Sequence, residues 1–332
     1  MCGPAATRRH LLITALAGGV GAARLLQGLV RVVPPAEVTA VVNTGDDVVL
    51  HGLHVSPDLD TVTYTLAGAV PAERGWGLEP ESWAAMEALD RYAAVAPPGS
   101  AAGATWFRLG DRDLATHLYR TQRLAEGAPL SRVAAEVAAA WGAGCRLLPM
   151  TDDRVETRPT VAGEGEIGFQ EYFVARRHEV AVSAVRFAGA AEARPGPGVL
   201  DAIAGAAAVV ICPSNPIVSI GPILAVPGIR EAVAAGRHRT VAVSPIVAGR
   251  ALRGPAARLM AELGVEPSVV GVARLYAPLA ATLVVDEADA GLKAAVEALG
   301  VRCVVARAVM HGVEGAAALA GAVLAAARRE QP

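Results

Sequence analysis

The stretch ALAGGVGAAR, residues 15–24, lies inside an almost uncharged segment and closely follows the pair Arg8 and Arg9. Two arginines ahead of an apolar run are typical of an export signal. An apolar strand that ends in a glycine turn and continues as a helix is typical of the start of an α/β enzyme domain. Three glycines are unfavourable in the apolar helix of a signal, so we favour the enzyme domain and keep export as the alternative.

The surrounding pattern predicts a βαβ unit. A buried strand is predicted over HLLITALAGG (residues 10–19), a helix over VGAARLLQGLVRVV (20–33), and a second buried strand over EVTAVVNTGDD (37–47). A βαβ connection joins parallel strands, so we expect a parallel sheet. The same order of apolar strand and polar loop returns in AAVVICPSNP (207–216) and RTVAVSPIV (239–247).

These elements predict an α/β fold with a Rossmann-like, mostly parallel sheet flanked by helices and a smaller inserted lobe. We assign residues 9–70 and 187–330 to a core that binds nucleotide and diphosphate, and residues 71–186 to the lobe. The lobe pattern predicts helices over 79–93 and 113–141, then three strand-like segments, VETRPTV, IGFQEYFVAR and HEVAVSAVRF. Ligands of such sheets bind at the carboxyl ends of the strands.

Composition limits the partners that we expect. The 332 residues are 53% hydrophobic and 19% charged, which suffices for a large buried core. A net charge of -2 gives no overall attraction to nucleic acid or to an anionic membrane, and no other apolar stretch reaches ~18 residues. The four cysteines are scattered without a C-x-x-C pair, so we expect free thiols and a cytoplasmic protein.

The glycine turn predicts a site for an anion. Gly18, Gly19 and Gly21 form G-G-x-G, which lets backbone N–H groups approach phosphate at a helix N-terminus. The turn lacks the Lys-Ser/Thr of a P-loop, and the second strand ends in Asn43 where a dinucleotide-binding domain has an acidic residue. A P-loop NTPase and an NAD-dependent dehydrogenase are therefore disfavoured. A packing turn without a ligand remains the alternative.

Acidic residues occur in three pairs that suit Mg²⁺, a hard ion that binds carboxylate and phosphate oxygens. The pairs are Asp46 and Asp47, Asp58 and Asp60, and Asp111 and Asp113. Helix capping is the alternative for these acids, because two of the pairs precede predicted helices. The histidines, His51, His54 and His117, have no metal-ligand spacing and are expected to form local hydrogen bonds.

Two further groups of residues suit a nucleotide and a planar ligand. Ser214 and Asn215 follow a buried strand and offer hydrogen bonds to a base or phosphate, although an ordinary turn is the alternative. The scarce aromatic residues gather in the lobe near the acidic loops, where they favour a stacked planar ligand or core packing. They are Trp76, Trp83, Trp106 and Phe107.

Several motifs, in this order along the chain, carry a resemblance to one family. They are GGVGAAR, VVNTGDD, HGLHVSPDLDTVTYTLAG, RGWG, LGDRDLATHLYRTQ, LLPMTDDRVET, FQEYFV, PSNPIVSIGPILAVPGIR and VSPIV. Together they resemble the 2-phospholactate or phosphoenolpyruvate transferases of coenzyme F-420 biosynthesis, from about residue 11 to the carboxyl terminus.

The resemblance implies a specific reaction. A phosphoenolpyruvyl or 2-phospholactyl group would move from a guanosine diphosphate-linked donor to the ribityl hydroxyl of 7,8-didemethyl-8-hydroxy-5-deazariboflavin, with Mg²⁺, and release GMP. Such an in-line displacement at phosphorus depends on positioning and charge neutralisation, without a covalent protein nucleophile. The family is commonly dimeric, so we also expect a homodimer.

The resemblance also implies roles for single residues. Deazaflavin-binding residues are expected to be Asp60, Arg108 and Trp76. The preferred magnesium ligands are Asp46 and Asp60, followed by Asp47 and Asp58. Residues facing the diphosphate and guanosine are expected to be Gly18, Gly19, Gly21, Asn43, Ser214 and Asn215. The proton of the ribityl hydroxyl is expected to pass to Asp60 or Asp111.

Some features depart from the family or stay open. Ala22 stands where many relatives have a further glycine, and the ten-residue leader and loop 95–105 lie outside the motifs. The alternative function is a nucleotide-sugar-binding metabolic regulator of the gluconeogenesis factor type, which would lack a deazaflavin pocket. No motif distinguishes enolpyruvate, lactate or glycerate in the donor, although the Ala-rich, Arg-over-Lys composition favours enolpyruvyl transfer.

Overall fold

The computed structural model of the protein describes residues 11–71, 73–98, 100–252 and 254–328. Arg8 and Arg9 of the export alternative, the rest of the leader and Gly99 of loop 95–105 lie outside the described residues. No helix in the described ranges is long and apolar enough to cross a membrane.

Among the described residues, seven strands form the central sheet, and every neighbouring pair is parallel, as predicted. Across the sheet they lie in the order β14 (Arg302–Ala306), β13 (Thr282–Asp286), β10 (Thr240–Val243), β9 (Ala208–Ile211), β1 (Ile13–Ala17), β2 (Val38–Val42) and β5 (Arg146–Pro149). The smaller strands are β3 (Val48–Leu50), β4 (Leu53–Val55), β6 (Glu156–Val161), β7 (Gly165–Glu166), β8 (Val182–Ala188), β11 (Ile246–Val247) and β12 (Arg250–Ala251).

Helices cover both faces of the sheet and separate its strands along the chain. They are α1 (Gly19–Val32), α2 (Pro57–Leu66), α3 (Ala84–Ala93), α4 (Asp113–Ala125), α5 (Leu130–Trp141), α6 (Val199–Gly205), α7 (Ile220–Ala225), α8 (Ile229–Ala235), α9 (Ala256–Glu262), α10 (Val269–Tyr276), α11 (Lys293–Glu297) and α12 (Gly312–Arg328).

The central strands are apolar because both faces of the sheet are buried. Along β1 and β2, Leu16 and Val41 contribute to one hydrophobic cluster, whereas Ala15 and Val42 contribute to the other. Small residues allow close packing outside the sheet. A Cβ at Gly28 of α1 would lie 2.2 Å from the Ala316 carbonyl oxygen of α12, so the two helices can only approach this closely at a glycine.

The strand order creates a crevice next to β1. From β1, the first described strand, the chain runs outward through β2 and β5 and returns to β9 on the other side of β1. Loops that leave β1 and β9 in opposite directions open a gap at the carboxyl ends of these strands, where ligands of doubly wound sheets bind. The glycine turn follows β1 and the PSNP loop follows β9, as the sequence predicted.

Two details of the predicted lobe need correction. Strand β5 falls within residues 71–186 but pairs with β2, so that part of the segment belongs to the central sheet. The strand expected over IGFQEYFVAR is instead a helical turn at Glu171–Ala175, and Phe169 and Phe173 of this segment line a cleft. The strands expected on either side of it are confirmed as β6 and β8.

Candidate active site

A cleft of about 900 Å³ opens at the carboxyl ends of the central strands. It brings together most of the residues that the sequence singled out, from segments far apart in the chain. These are Gly18, Gly19, Gly21, Asp46, Asp58, Asp60, Trp76, Arg108, Ser214 and Asn215. Asn43 lies buried beneath the acidic loop, and Asp47 borders a smaller neighbouring cavity.

The glycine turn is tied to the loop that follows β9. Gly18 donates its N–H to Ser214 Oγ at 3.2 Å, and that hydroxyl donates to the Gly18 carbonyl oxygen at 2.7 Å. A Cβ at Gly21 would lie 2.3 Å from the Pro213 carbonyl oxygen, so this glycine permits the close contact. The glycine turn therefore has the packing role that the sequence analysis kept as an alternative, and its contact with Pro213 forms part of the cleft wall. Ala22 is buried in the core and does not line the cleft.

Asp46 and Asp58 form a buried carboxylate pair beside this turn. The Asn43 side chain donates through Nδ2 to Asp46 Oδ1 at 3.0 Å and to Asp58 Oδ2 at 2.9 Å. Gly19 donates its N–H to Asp58 Oδ1 at 2.7 Å, at the N-terminus of α1. Burial raises the pKa of Asp58 to about 6 and raises the pKa of Asp46 well above its usual value, with the Asp58 and Asp47 charges adding to the latter.

This pair has the chemistry of a divalent-cation site. Two carboxylates that share one neutral amide carry an uncompensated negative charge out of water, which is costly without a cation. Both side chains line the cleft next to the predicted phosphate turn. Carboxylates in this position suit Mg²⁺.

Asp47 makes its hydrogen bond outside the pair. Its Oδ2 accepts a hydrogen bond of 2.6 Å from Ser56 Oγ, and its buried Oδ1 has no hydrogen-bond partner among the described residues. Burial also raises its pKa well above the usual value. Asp47 therefore borders the smaller cavity but is held by Ser56 rather than by Asn43.

Asp60 is held by a buried arginine that the sequence analysis missed. Arg120 of α4 binds both carboxylate oxygens of Asp60, and its Nη1 lies 3.2 Å from Oδ2. Both side chains are buried. Asp60 lies inside the first turn of α2 rather than capping it, so the capping alternative is wrong for this residue. The charge of Asp60 is already compensated, which favours Asp46 and Asp58 over Asp60 as metal ligands.

A second group surrounds this ion pair, and it joins Asp113 and His117, which the sequence analysis named separately, with Tyr64, which it did not name. His117 Nδ1 lies 3.7 Å from Asp60 Oδ2, and His117 Nε2 lies 3.2 Å from Asp113 Oδ2. Tyr64 donates its hydroxyl to Asp113 Oδ1 at 2.6 Å. The spacing in DLATHLYR, with polar residues at i, i+4 and i+7 of one helix, could have revealed this cluster. Since the Arg120 guanidinium lies 3.3 Å from His117 Nδ1, the cluster is better suited to hydrogen bonding than to a cation.

Asp111 is not brought to the cleft. Its carboxylate accepts hydrogen bonds from Ser82 Oγ at 2.7 Å and from the N–H groups of Ala84 and Ala85 at 2.9 Å, at the start of α3. These bonds lower its pKa. The geometry is that of a helix cap.

Aromatic residues from separate segments line the cleft. Trp76, Trp106 and Phe107 are among the lining residues, as expected, whereas Trp83 is not. Two further rings were missed: Phe169 and Phe173 also line the cleft, and they stack at 5.6 Å between ring centroids with an interplanar angle of 18°. Aromatic rings in the lining suit a planar ligand.

Known proteins identify the family. The model of the family described as 2-phospho-L-lactate transferase CofD matches residues 13–307, which is most of the chain. The chain belongs to the CofD family.

Individual relatives agree with this assignment. This chain is 48% identical to the phosphoenolpyruvate transferase of Streptomyces griseus subsp. griseus over 93% of this chain and 96% of that protein. It is 47% identical to the phosphoenolpyruvate transferase of Kitasatospora aureofaciens over 96% and 98% of the two chains. This chain also resembles a solved UPF0052 family structure from Bacillus halodurans, with a TM-score of 0.59 and 17% sequence identity. The match covers 94% of this chain and 98% of that one, and it supports the fold alone.

Proposed function

We propose that this CofD family transferase moves a phosphoenolpyruvyl group from a guanosine diphosphate-linked donor to the ribityl hydroxyl of 7,8-didemethyl-8-hydroxy-5-deazariboflavin and releases GMP, as a step of coenzyme F-420 biosynthesis. The observation that carries the proposal is the cleft itself, which is lined by the glycine turn, the buried pair Asp46 and Asp58, and several aromatic side chains. The relatives named phosphoenolpyruvate transferase favour the enolpyruvyl donor over lactyl or glyceryl donors.

The donor side of the cleft is argued from three groups. Asp46 and Asp58 would hold Mg²⁺, which supplies neutralisation of the diphosphate charge when it is bound. The G-G-x-G turn would face the diphosphate. Asn215 Oδ1 accepts from the N–H groups of Ile217 and Val218, at 2.9 and 3.3 Å, while its buried Nδ2 has no partner in the part of the chain that the structure describes. This free donor is suited to an oxygen of the nucleotide.

The acceptor side is argued from the lobe. The deazaflavin ring would lie against the aromatic side chains of the cleft, with Trp76 and Arg108 in contact with it. In the transfer, the ribityl oxygen forms a bond to phosphorus, and the bond from phosphorus to the GMP oxygen breaks with its electron pair leaving on GMP. The hydroxyl proton passes to Asp60, which Arg120 keeps oriented. We also propose, from the family resemblance, that the protein works as a cytoplasmic homodimer.

A spectroscopic titration tests the proposal against the regulator alternative. Adding protein to the deazaflavin is expected to change its absorbance with a saturable dependence, since the chromophore would leave water for an aromatic cleft. A metabolic regulator of the gluconeogenesis factor type would leave the spectrum unchanged, and that result would contradict the proposed function. A Trp76→Ala variant should weaken the change, whereas Tyr92→Ala, at an exposed aromatic residue outside the cleft lining, should not.

A further inference from the structure

The RGWG motif, residues 74–77, contains an arginine to which neither the predicted roles nor the proposed function gives a task. The motif places Trp76 in the lining of the cleft, where the residue is 47% exposed and therefore open to a ligand. Gly75 and Gly77, on either side of it, have left-handed φ angles of 76° and 71°. A Cβ at Gly77 would meet nothing within 4 Å, so packing around this turn does not by itself fix the direction of the indole.

Arg74 joins Trp76 to a second tryptophan of the same lobe. Its guanidinium carbon lies over the Trp76 ring, 5.4 Å from the centroid, and over the Trp83 ring, 6.0 Å from the centroid. Both distances suit a cation–π contact, and arginine also stacks on aromatic faces. Arg74 Nη2 donates to the Leu78 carbonyl oxygen at 3.4 Å, which ties the same guanidinium to the backbone just after the motif. One cation thus bridges an indole of the cleft lining and an indole outside it.

Trp83 is in turn held at the start of α3. The Asp111 carboxylate accepts hydrogen bonds from the residue on each side of it, from Ser82 Oγ at 2.7 Å and from the N–H of Ala84 at 2.9 Å. The Asp111 N–H donates to the Ser82 carbonyl oxygen at 2.9 Å. Asp111 and Trp83, which both lie outside the cleft lining, therefore form the fixed end of a series of contacts that leads through Arg74 to Trp76.

From these contacts we infer that Arg74 is a positioning residue, which orients the Trp76 indole to stack on the planar ring of the acceptor. The inference rests on the proposed function, in which Trp76 contacts the deazaflavin. A guanidinium over one face of an indole leaves the other face for a planar ligand. A side chain that is already held in its binding orientation loses less conformational entropy when the ligand arrives, so the bridge strengthens acceptor binding.

Binding of the deazaflavin to full-length variants tests this role. Arg74→Met removes the charge and keeps an unbranched side chain, and it is expected to raise the Kd of the deazaflavin about three- to fivefold, as the loss of an exposed cation–π contact would. Arg74→Lys, which keeps a cation, should bind the deazaflavin more tightly than Arg74→Met does. In turnover, the loss should appear in the KM of the deazaflavin rather than in kcat, because Arg74 does not line the cleft.

Arg112→Met is the matched control. Arg112 Nη1 donates to the Pro80 carbonyl oxygen at 3.0 Å, so this arginine is also tied to the backbone of the segment, and it does not line the cleft. Its substitution removes the same charge from the same lobe. The Kd of the deazaflavin should therefore stay within twofold of the wild-type value. An equal rise in Arg112→Met and Arg74→Met, or an unchanged Kd in Arg74→Met, would overturn the inference.

A double-mutant cycle tests the path through Trp83. Since Trp83 does not line the cleft, Trp83→Leu should weaken deazaflavin binding through Arg74, and Trp83→Phe, which keeps a ring, should weaken it less. In the Arg74→Met background, Trp83→Leu should cause little further loss, because the contact that it breaks is already gone. Losses that add in the double variant would show two independent effects and would contradict the bridge.

Fluorine NMR of protein labelled with 5-fluorotryptophan observes the Trp76 indole without any ligand. The Trp76 resonance, assigned by its loss in Trp76→Phe, is expected to shift and narrow in Arg74→Met, because a released side chain moves faster. The Trp141 resonance should stay unchanged, since Trp141 packs against Tyr64 at 4.9 Å between ring centroids. A Trp76 resonance that is identical in Arg74→Met and wild type would overturn the inference. A deazaflavin spectrum unchanged by wild-type protein would contradict the proposed function instead, so the two failures are distinguishable.

Discussion

The Asp58 carboxylate accepts a hydrogen bond of 2.7 Å from the backbone N–H of Gly19. An aspartate thus lies at the N-terminus of α1, the position at which the glycine turn is expected to meet the donor phosphate. A phosphate and a carboxylate at one helix end repel each other unless a cation lies between them. The contact therefore links nucleotide binding to metal binding.

Nucleotide affinity should depend on Mg²⁺ through this pair. GDP is expected to bind at least tenfold more weakly after removal of divalent ions, measured by calorimetry. Asp46→Asn should abolish most of the increase in GDP affinity that Mg²⁺ gives to the wild type. Asp152→Asn, at a carboxylate that caps α5 by accepting from Ser131 and lies outside both cavities, should keep it. Equal GDP affinity with and without Mg²⁺ in the wild type would contradict the site.

Stability should fall with rising pH through Asp58. Burial raises its pKa in the folded protein to about 6 from 3.8, so the folded state binds the proton more tightly than the unfolded chain. The stabilising contribution is fully present below about pH 3.8 and is lost as pH rises through about 6. In metal-free buffer, the free energy of unfolding of Asp58→Asn minus that of the wild type should be larger at pH 7.5 than at pH 4.5, by about 1–3 kcal/mol. Urea titrations check this, and a pH-independent difference would refute it.

The ion pair of Asp60 and Arg120 should matter for both stability and rate. Arg120→Gln leaves a buried carboxylate unpaired, so we expect a loss of about 3–5 kcal/mol in unfolding free energy. Arg123→Gln, which breaks two partly exposed pairs on the same helix, with Glu126 and Glu136, should cost far less than Arg120→Gln.

Asp60→Asn should lower kcat by about 100-fold or more if the carboxylate accepts the ribityl proton. Full turnover with unchanged magnesium binding would show that Asp60 has no such role.

Gly21→Ala should damage the wall between the two loops of the cleft. The added Cβ would lie 2.3 Å from the Pro213 carbonyl oxygen, so the β9 loop must shift. We expect a loss of about 1–3 kcal/mol in unfolding free energy and a raised donor KM. Gly321→Ala in α12, where a Cβ meets nothing within 4 Å, should be neutral or stabilising. Thermal denaturation distinguishes the two, and equal melting temperatures would contradict the packing argument.

Local sequence patterns predicted the elements whose burial is complete. The apolar runs of β1 and β2 and the turns after β1 and β9 carry their own signals, so the sheet and the two loops that line the cleft beside β1 followed from them. The four residues of β5 give only a short apolar run, and its place beside β2 depends on tertiary packing. Arg120 was missed because its partner Asp60 is 60 residues away and an arginine in an amphipathic helix usually faces solvent.

Mass spectrometry of the reaction products tests the central claim most directly. The protein is incubated with the deazaflavin, Mg²⁺ and the guanosine diphosphate-linked enolpyruvyl donor. The mixture is then analysed for the product formed from the deazaflavin and for the nucleotide released from the donor. We predict a deazaflavin product that carries the phosphoenolpyruvyl group, together with an equal amount of GMP. Unmodified deazaflavin, or release of GDP in place of GMP, would contradict transfer at the phosphorus that bears the acid.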